Sequence, residues 1–390
     1  MNKPTSKMDR RALYPIAMKI GIVVDHLRMG GAERVALDQA YQLSDDGHVV
    51  ALAQFAGIAN KSNPNYLTGE LEDILSRGIK LLDFSGGHLH QLSSTLSWLK
   101  KYEPELLIVH SLRAAVIIKI AKFLIKKNIY MTVSIHQLPE LSAPIQRYKR
   151  FLYAQSADRL FACSLAMQEQ WRKETTKYFF SRILFRKKIE LVRNGVYLAR
   201  IRSVSNYDQN SLDLKGDDFQ LRVISLGRNV AWKRADILVD SFESVFDKGA
   251  HLLIMRPEKN DELEDLLSSK FGESVKFMYG KTISDLIINS GDVHLYPTDS
   301  GRHSQSSINL IEMSCLGIPS LVSPGGGQGW PELLKIGLIV EVNWKEIHSV
   351  KRAITTSANS QFSSVLSEVR ELLSIKRNIS EHLGFLKTNV

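Results

Sequence analysis

The constraint that most narrows the fold is an alternation of short apolar runs with segments of helical spacing, broken once by a polar stretch and then resumed. "MKIGIVVDHL", from Met18, is apolar almost throughout, as a strand buried on both faces must be. In "AERVALDQAYQLSDDGH" apolar residues recur three and four apart until Gly47 stops them, which predicts a helix. "VVALAQFA", "IKLLDFS", "LLIVHS", "IYMTVSIHQ", "ADRLFACS" and "IELVRNG" read as further strands, with helices over "LSSTLSWLKKYEP" and "LRAAVIIKIAKFLIKKN". Strands separated by helices predict a parallel sheet covered on both faces.

The break is "SVSNYDQNSLDLKGDD", rich in Asn, Asp and Ser and without apolar period, which places a linker over residues 201–218. Strand and helix signals then restart with "LRVISLG", "ADILVDSFESVFD", "AHLLIMR", "DELEDLLSSKF", "VKFMYG", "TISDLIINSG", "VHLYP", "SINLIEMSCLG" and "IPSLVSP". The expectation is α/β: two Rossmann-like doubly wound domains, residues 1–200 and 219–363, facing a cleft. Residues 364–390 form a helical tail that could pack back on the first domain. Ligands of such sheets bind beyond the carboxyl ends of the strands, so both walls of the cleft are candidate sites.

Bulk properties exclude several classes. The longest apolar runs fall far short of a membrane span, and no apolar core of signal-peptide length precedes the first strand. Cys163 and Cys315 sit in apolar stretches and form no metal-binding spacing. A reduced, cytoplasmic protein is expected. Charge is uneven: 30 Lys and Arg stand against 17 Asp and Glu through residue 200, and 21 against 24 after it. The first half is therefore the one expected to face something anionic, nucleic acid or a membrane surface.

Three motifs carry chemistry. Gly30-Gly31, between the first strand and first helix, lets backbone N–H groups approach a phosphate at a helix N-terminus, although a tight turn alone could need two glycines. Arg228 and Lys233 lie in the first strand–helix connection of the second domain, where cations can neutralise a departing diphosphate or be solvated loop charges. Glu312 is a lone carboxylate within "INLIEMSCL", behind the hydroxyl-rich loop "DSGRHSQSS".

In joint order these motifs resemble the GT-B glycosyltransferases, specifically the retaining family four. The resemblance runs through Gly30-Gly31-Ala32-Glu33-Arg34, Asn194-Gly195-Val196, Gly227-Arg228 with Lys233, Glu312 with Gly317-Ile318-Pro319, and Gly325-Gly326-Gly327 with Pro331-Glu332. It implies a retaining transfer of a sugar from a UDP- or GDP-linked donor to an acceptor hydroxyl, without a metal or other cofactor. Glu312 is then the second Glu of the family's E-x7-E pair, on the nucleotide ribose. Arg228 and Lys233 face the diphosphate, and His136 the reacting sugar. His110 lines the acceptor side, and Gly30 and Gly31 lie near the phosphates or acceptor.

One departure stands out. Ser304 occupies the place of the family's first Glu, followed by Gln305, Ser306 and Ser307. These residues could hold the donor's phosphate or sugar themselves, or the chain could be a degenerate GT-B partner subunit. A sugar-nucleotide epimerase is a further alternative on a similar fold. Basic and aromatic residues mix over 171–188, and Lys119, Lys122, Lys126 and Lys127 repeat the theme, which suits an anionic bilayer better than nucleic acid. Aromatics buried behind a solvated basic face are the alternative. With the charge asymmetry, the expectation is a peripheral enzyme on the inner face of the membrane. Its acceptor would be a lipid-linked or growing surface-glycan saccharide.

Overall fold

The computed structural model describes residues 17–27, 30–55, 66–136, 155–177, 189–205, 221–227, 231–247, 249–259, 261–280, 283, 286, 288, 291–299, 305 and 307–384. Strands β1 (Lys19–Val24), β2 (Val49–Gln54), β3 (Lys80–Asp83), β4 (Leu106–Val109), β5 (Tyr130–Ile135), β6 (Arg159–Ala162) and β7 (Ile189–Leu191) make one sheet, in the order β3-β2-β1-β4-β5-β6-β7. Strands β8 (Arg222–Leu226), β9 (His251–Arg256), β10 (Val275–Tyr279), β11 (Asp292–Tyr296), β12 (Ser320–Val322) and β13 (Ile339–Glu341) make the second, in the order β10-β9-β8-β11-β12-β13. Each neighbouring pair is parallel. Chain order reverses between β1 and β4 in the first sheet and between β8 and β11 in the second. Loops leaving the carboxyl ends of those four strands therefore open onto the crevices where such sheets bind ligands.

Helices α1 (Gly31–Asp45), α2 (Tyr66–Ser76), α3 (His88–Tyr102), α4 (Leu112–Ile125), α5 (Leu165–Lys177) and α6 (Leu198–Ser205) belong to the first half. Helices α7 (Ala235–Phe246), α8 (Asp261–Phe271), α9 (Ile308–Leu316), α10 (Pro331–Ile336), α11 (Ile347–Ala358), α12 (Leu366–Leu372) and α13 (Ile375–Gly384) follow. Residues 198–205 are thus helical where a linker is expected from residue 201. Ile201 is fully buried in a cluster that includes Ile308 and Ile311 of α9, and that packing holds the segment helical. The remainder of the expected linker, 206–218, and most of the "TISDLIINSG" segment lie outside the described residues.

The core explains why both faces of each strand are apolar. One cluster packs Leu107, Val109, Met131 and Val133 against Trp98, Ile118 and Trp171 of the helices on that face. Trp171 is wholly buried, so it belongs to the core and not to the interfacial surface its basic neighbours suggested. A second cluster runs from Ile20 and Ile22 through Val196 and Ile201 to Leu310, Ile311 and Met313. Apolar packing is therefore continuous from one domain to the other beneath the cleft.

Candidate functional site

On the first-domain wall, Gly30 is the extended residue before α1, and its carbonyl accepts from Arg34 N at 2.9 Å. A side-chain carbon added at Gly31 would lie 3.7 Å from Ile308 Cγ2, the first residue of α9. The glycine turn after β1 thus meets the N-terminal end of a second-domain helix. His110 follows β4 and His136 follows β5. Their rings stack with centroids 5.0 Å apart, and His110 Nδ1 lies 2.7 Å from His136 Nε2. Burial pushes His136 down to about 4 and, with His136 and His382 nearby, holds His110 well below the usual range, so both imidazoles are neutral.

On the second-domain wall, two side chains converge on the last carbonyl of β8. Lys233 Nζ donates to Leu226 O at 3.1 Å, and Asn309 Nδ2, in the first turn of α9, donates to the same oxygen at 3.2 Å. Lys233 also lies 4.8 Å from the centre of the Tyr296 ring at the end of β11. Gly227, beside them, has φ +93°, which disfavours any side chain, and an added carbon would sit 2.4 Å from Lys233 Nζ and push it from its place. Arg256 ends β9 and is buried; its Nη2 donates to Ser225 Oγ at 3.1 Å, and no carboxylate pairs with it among the described residues. Burial lowers it to about 10, which leaves it cationic. Arg228, Ser304 and Ser306 lie outside the described residues. Ser307 precedes α9 and hydrogen-bonds Tyr296.

Glu312 is buried between the domains. Arg200 Nη2 in α6 donates to Glu312 Oε1 at 2.7 Å and to Asp38 Oδ2 in α1 at 3.0 Å. Asp38 also accepts from Arg34 Nε at 2.9 Å and from Tyr197 N at 3.0 Å. Burial alone would raise Asp38, but Arg200 and Arg34 outweigh it and hold it low. For Glu312 burial prevails over Arg200, with Asp38 adding to it, and the carboxyl is raised. Oε2 of Glu312 has no hydrogen-bond partner among the described residues.

Gln305 also spans the boundary. Its Oε1 accepts from Ala166 N at 3.0 Å in α5, and its Nε2 donates to Gly325 O at 2.9 Å. Its amide thus ties the first domain to the glycine run after β12, and this engages both ends of a side chain expected on the donor. Arg193 reaches across as well, donating to both Glu332 oxygens at 3.1 and 3.2 Å beside the Trp330 ring.

The Asn194-Gly195-Val196 motif gains a physical reason. Val196 N donates to Leu373 O and Ile375 N returns to Val196 O, so the chain between α12 and α13 pairs with the first domain. At Gly195 an added carbon would lie 2.8 Å from Ile375 N, Ile375 Cα and Ser374 O. Only glycine admits that approach. Helix α13 is then fastened by His382 Nδ1 to Thr132 Oγ1 at 2.8 Å, and by Gln39 Nε2, which donates to Asn378 Oδ1 at 2.7 Å. Sequence reasoning did not find Asp38, Arg200, Asn309, Gln39 or Asn378. Arg200 and Asn309 flank singled-out motifs, but no spacing signals that Asp38, Gln39 and Asn378 meet across the fold.

Residues 29–200 match Glycosyltransferase Family 4. Among curated proteins no sequence matches. Among solved structures, a glycosyltransferase from Rickettsia africae is 15% identical with TM-score 0.69, over 95% of this chain and 98% of that one. HepE from Anabaena, in complex with UDP and glucose, is 16% identical with TM-score 0.67, over 94% and 99%. Sucrose-phosphate synthase from Thermosynechococcus elongatus is 15% identical with TM-score 0.64, over 95% and 98%. The fold is the two-domain GT-B arrangement, and these findings are consistent with the family-four resemblance carried by the motif order.

Proposed function

We propose that this protein transfers a sugar from a UDP- or GDP-linked donor to an acceptor hydroxyl, with retention of configuration. The observation that carries the reading is the convergence at the cleft. Lys233 and Asn309 share the Leu226 carbonyl, α9 begins at Ile308, and a side-chain carbon at Gly31 would touch that residue. A diphosphate there would meet the cation of Lys233 and the free N–H groups opening α9. Arg256, a buried cation with no carboxylate paired to it among the described residues, deepens the positive field under the same sheet edge. Arg228 and Lys233 take the charge that develops on the leaving diphosphate. The ribose falls to Glu312, whose Oε1 is held by Arg200 while Oε2 faces the hydroxyls. The leaving phosphate accepts the acceptor's proton on the same face, so no strong protein base is needed.

The acceptor is proposed to be a lipid-linked or growing surface-glycan saccharide at an anionic membrane surface. No helix among the described residues is long and apolar enough to cross a membrane. Support for surface attachment comes from α4, which exposes Ile120, Phe123 and Leu124 beside exposed Lys119 and Lys126. Lys122 and Lys127 do not join them: Lys122 is buried on Asp158 at 3.0 Å, and Lys127 pairs with Glu103. Arg186, Lys187 and Lys188 lie outside the described residues.

Calorimetry with UDP and GDP, followed by a screen of nucleotide-sugars with and without acceptors, tests the activity. Binding of one nucleotide and acceptor-dependent release of it is the expected result. Conversion of the sugar without an acceptor would replace the reading with epimerisation. Binding of neither nucleotide would leave a non-catalytic partner.

A further inference from the structure

We infer that helix α13 fixes the tautomer of His136 from a distance, through Asn378, Gln39 and His110, so that His136 presents Nδ1 to the cleft as a hydrogen-bond acceptor for a substrate hydroxyl. The role in the cleft rests on the proposed sugar transfer; the tautomer itself does not.

The chain has one consistent direction, set by a group that cannot be turned round. Asn378 Nδ2 lies 3.0 Å from Arg193 O, a backbone carbonyl that only accepts. Asn378 must therefore aim its NH2 at Arg193 and its Oδ1 at Gln39, whose Nε2 donates to it at 2.7 Å. With its NH2 so used, Gln39 turns Oε1 toward His110 Nε2, 2.8 Å away. An amide oxygen has no proton to give, so His110 carries its proton on Nε2. Its Nδ1 is then bare in the neutral ring and accepts across the 2.7 Å contact from His136 Nε2. The proton of His136 is thus on Nε2 and its lone pair on Nδ1, which has no hydrogen-bond partner among the described residues.

Reversing the chain carries a cost at its far end. Turning the Gln39 amide would require Asn378 to turn too, and would set Asn378 Oδ1 against Arg193 O with no proton between them. The links are short, and the Gln39 and Asn378 side chains are buried, so a bond left unmade at that end of the chain is poorly replaced by water. Arg193 O is itself held in place, because residues 194–196 are pinned against the chain entering α13. The C-terminal segment is therefore part of the site's chemistry although none of its described residues lies at the strand ends that line the cleft. Gln39 and Asn378 are positioning residues.

The test reads the 15N shifts of the His136 ring, assigned by comparison with His136→Asn, in protein without substrate. The wild type should show a protonated Nε2 and a bare Nδ1. Asn378→Leu removes the anchor, so the single tautomer should give way to a mixture, with kcat reduced about tenfold, the worth of one hydrogen bond. KM for the nucleotide-sugar and affinity for the free nucleotide should stay near wild type. Adding Gln39→Glu to Asn378→Leu should restore both signals, because a carboxylate accepts from His110 whichever oxygen faces it. A merely structural role for Asn378 would not be rescued that way. Should Asn378→Leu fail to fold, Gln39→Leu alone should give the same mixture. A proton on Nδ1 of His136 in the wild type would overturn the inference, and so would a single tautomer retained in the leucine variants. The predicted shifts with no turnover on any nucleotide-sugar would sink the proposed transfer and leave the relay standing.

Discussion

Arg200 and Glu312 stand 112 residues apart and are joined at 2.7 Å across the domain boundary, with the same guanidinium nitrogen also on Asp38. Both side chains are at most 8% exposed. One cation thus serves two buried carboxyls, and neither has water to fall back on. Arg200→Met should cost about 3–5 kcal/mol of unfolding free energy, because it leaves buried charge uncompensated. Glu312→Gln keeps an acceptor for Arg200 and should cost about 1 kcal/mol, while weakening the nucleotide roughly tenfold if Glu312 serves the ribose. Urea unfolding and calorimetry separate the two effects. An Arg200→Met protein as stable as wild type would remove the clamp from the account.

Lys233 lies beside the first turn of α9, sharing the Leu226 carbonyl with Asn309. Lys233→Ala should lower kcat about a hundredfold, the loss typical when one preorganised charge-stabilising donor is removed. Thermal stability should change little, since the Leu226 carbonyl to which the lysine donates keeps Asn309 as a second donor. Steady-state kinetics with the donor found in the screen measure this. Unchanged kcat would move the leaving-group role elsewhere.

Gly195→Ala puts a methyl group into the backbone of Ser374 and Ile375. Backbone cannot rotate aside as a side chain can, so about 1–3 kcal/mol of stability should be lost. The loss should be local: α13 should become cleavable by trypsin at Lys376 or Arg377 before the rest of the fold yields. Cleavage spread evenly over the chain would argue against so specific a contact.

How far the sequence reaches follows from what each residue interacts with. Strands were legible because parallel strands are apolar on both faces, and the two sheets appear where the runs predicted them. Helix α6 was missed because its stability comes from Ile201 packing on α9, a partner about 100 residues away that local propensity does not register. Lys122 reads as surface charge in the sequence, because nothing local signals that it is buried against Asp158, 36 residues away. Motif order picked out Gly31, Lys233 and Glu312, which the structure sets on or beside one helix, α9. It could not find Asp38, Gln39 or Asn378, polar residues in unexceptional helices whose meaning is their pairing across the fold.

His110, His136, His294 and His382 are held in the fold as neutral rings. Burial sets His136 at about 4 and His294 and His382 at about 3, the last two with neighbouring positive or imidazole groups adding to it, and His110 lies well below 6.5. In the unfolded chain each titrates near 6.5. Below that pH the unfolded chain takes up protons that the folded chain refuses. Stability is therefore full above about pH 6.5 and falls as pH drops toward 4, by up to about 1.4 kcal/mol per unit for each histidine. The raised Glu312 has the opposite sign and offsets part of the loss at the acid end. Denaturation midpoints at pH 7, 6 and 5 should decline steadily, with a shallower slope in His382→Gln. A flat profile would mean these rings are protonated in the fold.

The exposed face of α4 carries the last expectation. Phe123 is 81% exposed and Leu124 55%, unusual for large apolar side chains on one helix, and Ile120 lies a turn away with Lys119 and Lys126 close by. Apolar side chains entering the headgroup region and lysines above an anionic surface act together, each cation contributing about 1 kcal/mol. Two exposed lysines and three apolar side chains should give reversible attachment, not permanent anchoring. Co-sedimentation with vesicles of anionic and neutral lipid should show binding to the anionic set alone, weakened by salt. Phe123→Asp with Ile120→Ser should lower it several-fold without altering nucleotide affinity, since α4 packs in the cluster of Trp98 and Trp171 and not in the one that holds α9. Equal recovery on both vesicle types, or binding indifferent to these substitutions, would detach α4 from the membrane and favour a soluble saccharide as the acceptor.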